Sequence, residues 1–246
     1  MKIFLTGATG YIGKRLLIQL LEEGHRVVCS VRDKKRLSLK LYQNHLDKIE
    51  IIENDFLDKN TLANIPKDID FAYYLVHSMS SNDGDFLEKE RISAQNFRKA
   101  LENTSVKQVV FLTGIINEEK LSKHLQSRKN VEQALKSNHY ALTCLRAGII
   151  VGSGSASFEI IRDLVEKLPI MVAPKWLKTK CQPIAIRNVI QFLIKVLGVE
   201  KTYHQNYDIA SDDVLTYKEM LQQYAEVRRL KRGIYTVPVM TPKLPS

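Results

Sequence analysis

Three glycines near the amino terminus have the spacing of a phosphate-binding loop. Residues 2–5 form an apolar, strand-like run that leads into Gly7, Gly10 and Gly13. Gly7 allows a sharp turn at the strand end, and the missing Cβ of Gly10 lets backbone N–H groups approach a pyrophosphate. Gly13 lets the following helix, which begins at Tyr11, pack closely on the sheet. Because the free N–H groups and the dipole of a helix start attract phosphate, the pattern predicts a dinucleotide-binding loop rather than an ordinary turn.

The loop also carries a family resemblance. Its spacing is Gly-x-x-Gly-x-x-Gly, and residues 6–13 read Thr-Gly-Ala-Thr-Gly-Tyr-Ile-Gly. This opening resembles the short-chain dehydrogenase/reductase superfamily, in its extended and atypical (NmrA-like) branches, and the resemblance continues over most of the chain. It implies a Rossmann fold that binds NAD(P)(H). The implied cofactor contacts in the loop are Gly7, Thr9, Gly10, Tyr11, Ile12 and Gly13.

Apolar runs and helical patterns alternate along the first 145 residues. Predicted strands cover residues 2–5, 26–31, 49–52, 70–75, 107–112 and 140–145. Predicted helices cover residues 11–23, 34–45, 86–102 and 124–137, with a short helix at 59–63. Alternation of this kind predicts an α/β fold with a doubly wound parallel sheet, helices on both faces and a ligand crevice at the carboxyl ends of the strands.

After residue 146 the alternation becomes less regular. We predict a Gly/Ser loop at 152–157, helices at 158–167, 187–197 and 216–228, and short strands at 170–172 and 206–209. Extended short-chain dehydrogenases build a substrate lid here, so we expect a small carboxyl-terminal lid region. We expect one NAD(P)-binding domain over residues 1–234, followed by a proline-containing, linker-like tail at 235–246. The resemblance leaves open a second domain after that tail.

Composition is typical of a globular protein. The 246 residues are 44% hydrophobic and 26% charged, without an apolar run of membrane-spanning length or a signal-peptide pattern. We therefore expect a cytoplasmic protein. Cys29, Cys144 and Cys181 lack metal-ligand spacing, and the first two fall in predicted buried strands. We interpret all three as reduced thiols and predict no metal site.

The formal net charge of +10 raises the question of an anionic partner. The basic residues are spread over predicted helices and are not interleaved with aromatic residues, so we predict no nucleic-acid partner. The densest cluster is Arg-Arg-Leu-Lys-Arg at 228–232. A solvated helix end is the favoured interpretation, and a phosphate- or membrane-binding patch is the alternative.

The end of the second predicted strand bears on the choice of cofactor. An acidic residue at this place holds the ribose hydroxyls of NAD, but the residue here is Arg32. A guanidinium can pair with the 2′-phosphate of NADP, and Lys34, Lys35 and Arg36 add positive charge. Asp33 is a competing signal, one position late. We therefore predict a preference for NADP(H), with NAD(H) as the alternative.

The resemblance assigns further cofactor contacts to the loops after the third and fourth strands. Asp55 corresponds to a residue that accepts a hydrogen bond from the adenine amino group, and Phe56 would line the ring. The same segment is also consistent with a turn in which Asp58 caps a short helix. Asn96 matches a position that supports the loop beneath the cofactor. The residues expected over the adenosine ribose are Leu75, Val76 and His77.

The catalytic pair of the superfamily is missing. Family members carry Tyr-x-x-x-Lys on the helix after the fifth strand, where Tyr transfers the proton and Lys lowers its pKa and binds the nicotinamide ribose. Aligned on the Ser-[Lys/Arg]-x-x-x-Glu pattern, His124 takes the Tyr position and Arg128 the Lys position, and residues 115–139 contain no Tyr. Thr113, at the end of the fifth strand, matches a catalytic Ser or Thr that hydrogen-bonds a substrate carbonyl.

Three interpretations of this helix remain open. In the first, His124 shuttles a proton near neutral pH and Arg128 binds ribose hydroxyls as a permanent cation. In the second, the helix keeps the cofactor-binding geometry and has lost the chemistry, as in regulator-like and respiratory-complex subunits of the atypical branch. The third is a polar helix surface without either role.

A later segment makes the resemblance more specific. Residues 145–148, Leu-Arg-Ala-Gly, resemble the Leu-Arg-Pro-Gly strand end of extended dehydrogenases, whose backbone passes the nicotinamide carboxamide. The Gly/Ser run and residues 182–186 resemble the atypical group related to the accessory NADPH-binding subunit of respiratory complex I. The Gly/Ser run either binds an anion or caps the next helix, and capping is favoured.

The sequence thus predicts an NADP(H)-binding Rossmann protein and leaves its activity open. The first hypothesis is a reductase of a small carbonyl or quinone-like substrate, in which Thr113 orients the substrate and His124 or water supplies the proton. The alternative is a non-catalytic NADP(H)-binding module that serves as a redox sensor or complex subunit, with a protein partner or a further domain. A sugar-nucleotide epimerase or dehydratase is a weaker hypothesis, because that chemistry normally uses the same missing Tyr.

Overall fold

The computed structural model describes residues 1–76, 86–115 and 123–237, and the side chains of residues 123–125 lie outside this description. The chain divides into two compact units. The first contains Met1–Ala147 and Ile190–Asp208, and the second contains Gly148–Val189 and the residues from Ile209 onward.

The first unit is built on a seven-stranded sheet. Its strands are β1 (Lys2–Thr6), β2 (Arg26–Val31), β3 (Ile49–Glu53), β4 (Phe71–Tyr74), β5 (Gln108–Gly114), β6 (Ala141–Ala147) and β11 (Asn206–Ile209). They lie in the order β11-β6-β5-β4-β1-β2-β3, and β1 to β6 pair in parallel. Because the strand order reverses at β1, a crevice opens at the carboxyl ends of β1 and β4.

Helices cover both faces of this sheet. They are α1 (Tyr11–Glu22), α2 (Phe86–Leu101), α3 (Lys123–Leu135) and α5 (Ile186–Lys195). On one face, Phe4 and Phe111 pack with Phe97 of α2 and Leu135 of α3. Alternate residues of a strand point to opposite faces, and on the other face the Tyr73 hydroxyl donates to a carbonyl of α5 at 2.9 Å. The predicted doubly wound α/β fold is confirmed.

Among its described residues, the second unit combines two α-helices with three strand pairs. The helices are α4 (Ala156–Lys167) and α6 (Tyr217–Val227). The pairs are β7 (Ile150–Val151) with β10 (Ile184–Ala185), β9 (Lys180–Cys181) with β12 (Leu215–Thr216), and β8 (Ile170–Pro174) with β13 (Gly233–Val237). Val165 of α4, Met171 of β8 and Leu221 of α6 belong to a separate apolar core.

Most predicted elements are confirmed, with ends displaced by no more than two residues. The predicted helix at 34–45 is wrong, because this segment forms 3₁₀ turns at Lys34–Arg36 and Leu39–Lys48, the second broken by non-helical angles at Tyr42 and His45. The Asp33 carboxylate accepts from the Lys35 amide and stabilises a local turn instead of an α-helix. Non-helical angles at Tyr42 also accompany the burial of its side chain.

Two further findings concern the tail and the cysteines. Tyr235–Val237, assigned above to the linker-like tail, complete β13 by pairing with Val172–Pro174. Cys29 and Cys144 are free and buried, and burial raises the pKa of each thiol to about 12. Cys181 is free and half-buried.

Within the described part of the chain, none of the helices combines the length and apolar character needed to cross a membrane.

Candidate functional site

The loop between β1 and α1 has a geometry that requires glycine. Gly7 has a φ of +69°, and a Cβ there would lie 2.6 Å from the carbonyl oxygen of Leu75. A Cβ on Gly13 would overlap the carbonyl group of Gly7. The Gly10 amide donates to that same carbonyl at 2.8 Å and closes the turn. The predicted sharp turn at Gly7 and the close helix approach at Gly13 are confirmed.

The start of α1 presents backbone amides that come before the first hydrogen bond within the helix. Gly10 is its N-cap, no side chain among the described residues caps it, and its first turn holds no acidic residue. The first amide that finds an intrahelical acceptor is that of Lys14, which donates to Gly10 at 3.0 Å. The amides of Tyr11, Ile12 and Gly13 come before this bond, so they have no acceptor within the helix. These donors and the positive dipole end fit the diphosphate of a dinucleotide.

A buried threonine joins the glycine loop to the end of β4. The Thr6 hydroxyl donates to the Tyr73 carbonyl at 3.0 Å and accepts from the Leu75 amide at 2.9 Å. Leu75 and Val76 are therefore held beside the glycine loop, at the crevice where the resemblance places the adenosine ribose. His77 follows them but lies outside the described residues.

The loop after β3 is supported from below. The buried Asn96 side chain donates to the Phe56 carbonyl at 2.7 Å, in agreement with its predicted supporting role. Phe56 is 5% exposed and packs edge-on against Phe97, with ring centroids 5.4 Å apart. Its side chain belongs to the core, and its contact with an adenine ring stays a prediction. Asp55 accepts from the Leu57 amide at 2.9 Å, and Asp58 caps the following 3₁₀ turn as predicted.

Arg32 and Asp33, the two competing signals for the cofactor, differ in their surroundings. Arg32 follows β2 and is exposed. The carboxylate of Asp33 is engaged in a turn through the Lys35 amide at 2.9 Å, and Glu53 accepts from the Lys34 amide at 3.0 Å. One carboxylate oxygen of Asp33 thus serves the backbone, whereas the side chain of Arg32 is exposed.

Thr113 has a buried hydroxyl without a partner. The residue lies near the end of β5 and is 5% exposed, and its hydroxyl finds no hydrogen-bond partner within the described residues. Thr143 of the neighbouring β6 differs, because its hydroxyl donates to the Thr202 carbonyl and accepts from Gln108, each at 2.8 Å. Since folded proteins pair nearly all buried polar groups, the Thr113 hydroxyl is a candidate for bonding a ligand.

On α3, Arg128 is a partly buried cation. Burial lowers the pKa of its guanidinium, an effect opposed by the negative charge of Glu90 on α2 and by Tyr74. The hydroxyl of Ser127, one residue earlier, donates to the Glu90 carboxylate. The backbone of His124 lies in the same helix, and its side chain lies outside the described residues. Of the predicted catalytic pair, Arg128 is the residue whose side chain the structure describes.

Tyr74 does not replace the missing catalytic tyrosine. It interacts electrostatically with Arg128, but its ring is buried against Phe97 and Phe111 at the end of β4. Burial raises the pKa of its hydroxyl, which donates to Ser93 at 3.4 Å. A hydroxyl with a raised pKa inside the core is poorly suited to proton transfer with a substrate.

A buried ion pair was not predicted from the sequence. Glu132 of α3 is buried and accepts from the Arg146 guanidinium of β6 at 3.0 and 3.1 Å, while Asn206 of β11 donates to it at 3.3 Å. Glu132 lies one turn after Arg128 on α3 and is the Glu of the Ser-[Lys/Arg]-x-x-x-Glu pattern. That pattern does not indicate an ion-pair partner. The partners of Glu132 are distant in sequence, so their contact depends on the fold.

The Gly/Ser run acts as a helix cap, which was the favoured interpretation. The Ser155 hydroxyl accepts from the Phe158 amide at 3.2 Å at the start of α4. The Glu159 carboxylate accepts from the Gly154 amide at 2.8 Å.

The basic cluster at 228–232 also has structural contacts. Arg228 pairs with Glu166 at 3.2 Å, and Arg232 donates to the carbonyl groups of Val165 and Glu166 at the end of α4. Two of its four cations therefore hold α4 in the second unit, which favours the helix-end interpretation over an anion-binding patch.

Residues 7–156 match the sequence model of a family described as NAD(P)H-binding. The chain belongs to this NAD(P)H-binding family. The matched residues begin at the glycine loop and include every strand from β2 to β6. A search of curated protein sequences gives no match for this NAD(P)H-binding protein.

Solved structures share its fold over nearly the whole chain. An epimerase, Mth375, from Methanothermobacter thermautotrophicus is 12% identical, with a TM-score of 0.78 over 97% of this chain and 80% of that one. UDP-N-acetylglucosamine 4-epimerase from Bacillus cereus is 17% identical, with a TM-score of 0.76 over 96% and 85%. A short-chain dehydrogenase/reductase superfamily protein from Agrobacterium tumefaciens with bound NAD is 13% identical, with a TM-score of 0.76 over 96% and 85%. These likenesses confirm the Rossmann fold that the resemblance to extended and atypical short-chain dehydrogenases implies.

Proposed function

We propose that this NAD(P)H-binding protein prefers NADP(H) and uses it to reduce a small carbonyl or quinone-like substrate. The observation that carries the binding proposal is the glycine loop, where side chains are sterically excluded and the amides at the start of α1 precede the first intrahelical bond. When bound, NADPH supplies a hydride.

Each end of the dinucleotide has a candidate partner in the first unit. The amides of Tyr11, Ile12 and Gly13 bind the diphosphate, with Thr9 beside them. Exposed Arg32 pairs with the 2′-phosphate, a bidentate contact that a ribose hydroxyl cannot make. Arg128 serves the nicotinamide-side ribose as a permanent cation.

Thr113 and His124 are assigned to the substrate. The Thr113 hydroxyl donates to the substrate oxygen and stabilises the negative charge that develops there as the carbon accepts the hydride. His124 or a water then donates the proton that the oxygen requires. Because the Thr113 hydroxyl is covered in this structure, substrate binding requires the covering atoms to move aside.

Thr113→Val tests this assignment. Valine keeps the shape and removes an unpaired hydroxyl, so the free energy of unfolding should stay the same or rise by roughly 1 kcal/mol. Turnover should fall by about 10-fold or more because the donor to the substrate oxygen is lost. The measurements are urea denaturation and NADPH oxidation with a panel of carbonyls and quinones.

Thr143→Val is the matched control on the adjacent strand. Its hydroxyl is paired on both sides, so this variant should lose about 1–3 kcal/mol of stability. If Thr113→Val lost as much stability and kept full turnover, the Thr113 hydroxyl would have a structural role and the assignment would be wrong.

A non-catalytic NADP(H)-binding module is the second candidate. It is favoured by the absence of Tyr from residues 115–139 and by the burial of Tyr74. Saturable NADPH binding without oxidation by any member of the panel would support this candidate over the reductase. A sugar-nucleotide epimerase, the named activity of some structural neighbours, stays a weaker hypothesis because of the same missing Tyr.

A further inference from the structure

Next to Arg128, a pair of buried polar residues joins α2 to α3. Glu90 of α2 is 8% exposed, and Ser127 of α3 is 1% exposed. The Ser127 hydroxyl donates to the Glu90 carboxylate.

A buried carboxylate is costly unless hydrogen bonds and an opposite charge compensate it. Ser127 supplies a hydrogen bond to Glu90, and Arg128 supplies a positive charge that interacts with it. Apolar side chains such as Phe97 on α2 and Val131 on α3, which belong to the neighbouring core, would be enough to pack the two helices together. Helix packing alone therefore does not account for Glu90.

An arginine side chain binds a ligand more tightly when neighbouring groups already hold it in place. The arginine side chain has several rotatable bonds, and holding it in one arrangement has an entropic cost for a ligand that needs it there. Glu90 is placed to reduce that cost, because its hydrogen bond to the Ser127 hydroxyl holds α3 at the residue next to Arg128. The negative charge of Glu90 also favours the charged form of Arg128.

We propose that Glu90 is a positioning residue, which together with Ser127 holds Arg128 in place to bind the nicotinamide-side ribose of NADP(H). The proposal rests on the proposed NADP(H) binding. It predicts that Glu90 affects the nicotinamide half of the dinucleotide and leaves the adenosine half unchanged.

The test compares NADPH with adenosine 2′,5′-bisphosphate, which has the adenosine half and no nicotinamide ribose. For Glu90→Gln, calorimetric titration should give an NADPH dissociation constant raised about 10-fold, since a charge-assisted contact is weakened. The dissociation constant of the bisphosphate should change by less than about 2-fold, which also verifies that the variant is folded. Arg128→Met should behave likewise, and the double variant should bind NADPH no more weakly than Arg128→Met.

Glu88→Gln is the control on the same helix. Glu88 is exposed and pairs with Arg91 at the surface, so both ligands should bind as they do to the unaltered protein. Equal weakening of both ligands by Glu90→Gln, independent effects in the double variant, or unchanged NADPH binding would each overturn the positioning role. If the unaltered protein bound neither ligand, the proposed function would be wrong, and this inference with it.

Discussion

Gly13→Ala is expected to abolish tight NADPH binding and to destabilise the fold. The added Cβ would overlap the carbonyl group of Gly7, and neither backbone segment can yield without opening the turn. Displacing the start of α1 removes several charge-assisted bonds to the diphosphate, so the dissociation constant should rise by about 100-fold or more. The free energy of unfolding should fall by about 1–3 kcal/mol, as for other overpacked positions. Calorimetric titration and urea denaturation measure the two effects.

Gly24→Ala is the control at the other end of α1. Gly24 has a φ of +84° with no atom within 4 Å of an added Cβ, so only backbone strain is introduced. It should lose about 1 kcal/mol of stability and keep NADPH affinity within about 2-fold. NADPH affinity of Gly13→Ala equal to that of Gly24→Ala would place the diphosphate away from this loop.

Arg32→Ala should reverse the preference between the two cofactors. Arg32 is exposed at the carboxyl end of β2, where Asp33 is engaged with the Lys35 amide. Loss of its contact with the 2′-phosphate should raise the NADPH dissociation constant by about 10- to 100-fold and leave that of NADH nearly unchanged. Both constants can be measured by fluorescence titration.

Arg26→Ala provides the comparison on the same strand. Arg26 is also exposed but begins β2, at the end of the sheet away from the crevice. Its removal changes net charge by the same amount and should leave both dissociation constants nearly unchanged. Equal weakening of NADPH and NADH by Arg32→Ala would contradict the proposed preference for NADP(H).

Much of the fold could be predicted because its signals are local. The glycine loop, apolar strands and amphipathic helices each lie within one short segment, and the family resemblance supplied their arrangement. The prediction of a helix at 34–45 is wrong because hydrophobic periodicity does not indicate that Asp33 caps a turn or that Tyr42 is buried outside a helix. β13 was missed because a short strand after a basic cluster depends on its partner β8.

The site could be predicted best where the backbone or a local side-chain contact defines it. Gly7 and Gly13 follow from spacing, and the structure gives each a steric reason. Whether a hydroxyl is paired, as with Thr113 and Thr143, depends on residues distant in sequence. The contact between Glu90 and Ser127 spans 37 positions, so no sequence pattern indicates it.

The most direct test of the account is a titration of the unaltered protein with NADPH and, separately, with NADH. The account predicts saturable binding of one NADPH per chain, with a lower dissociation constant for NADPH than for NADH. Absence of saturable binding by either cofactor would contradict the assignment of the glycine loop as a dinucleotide site.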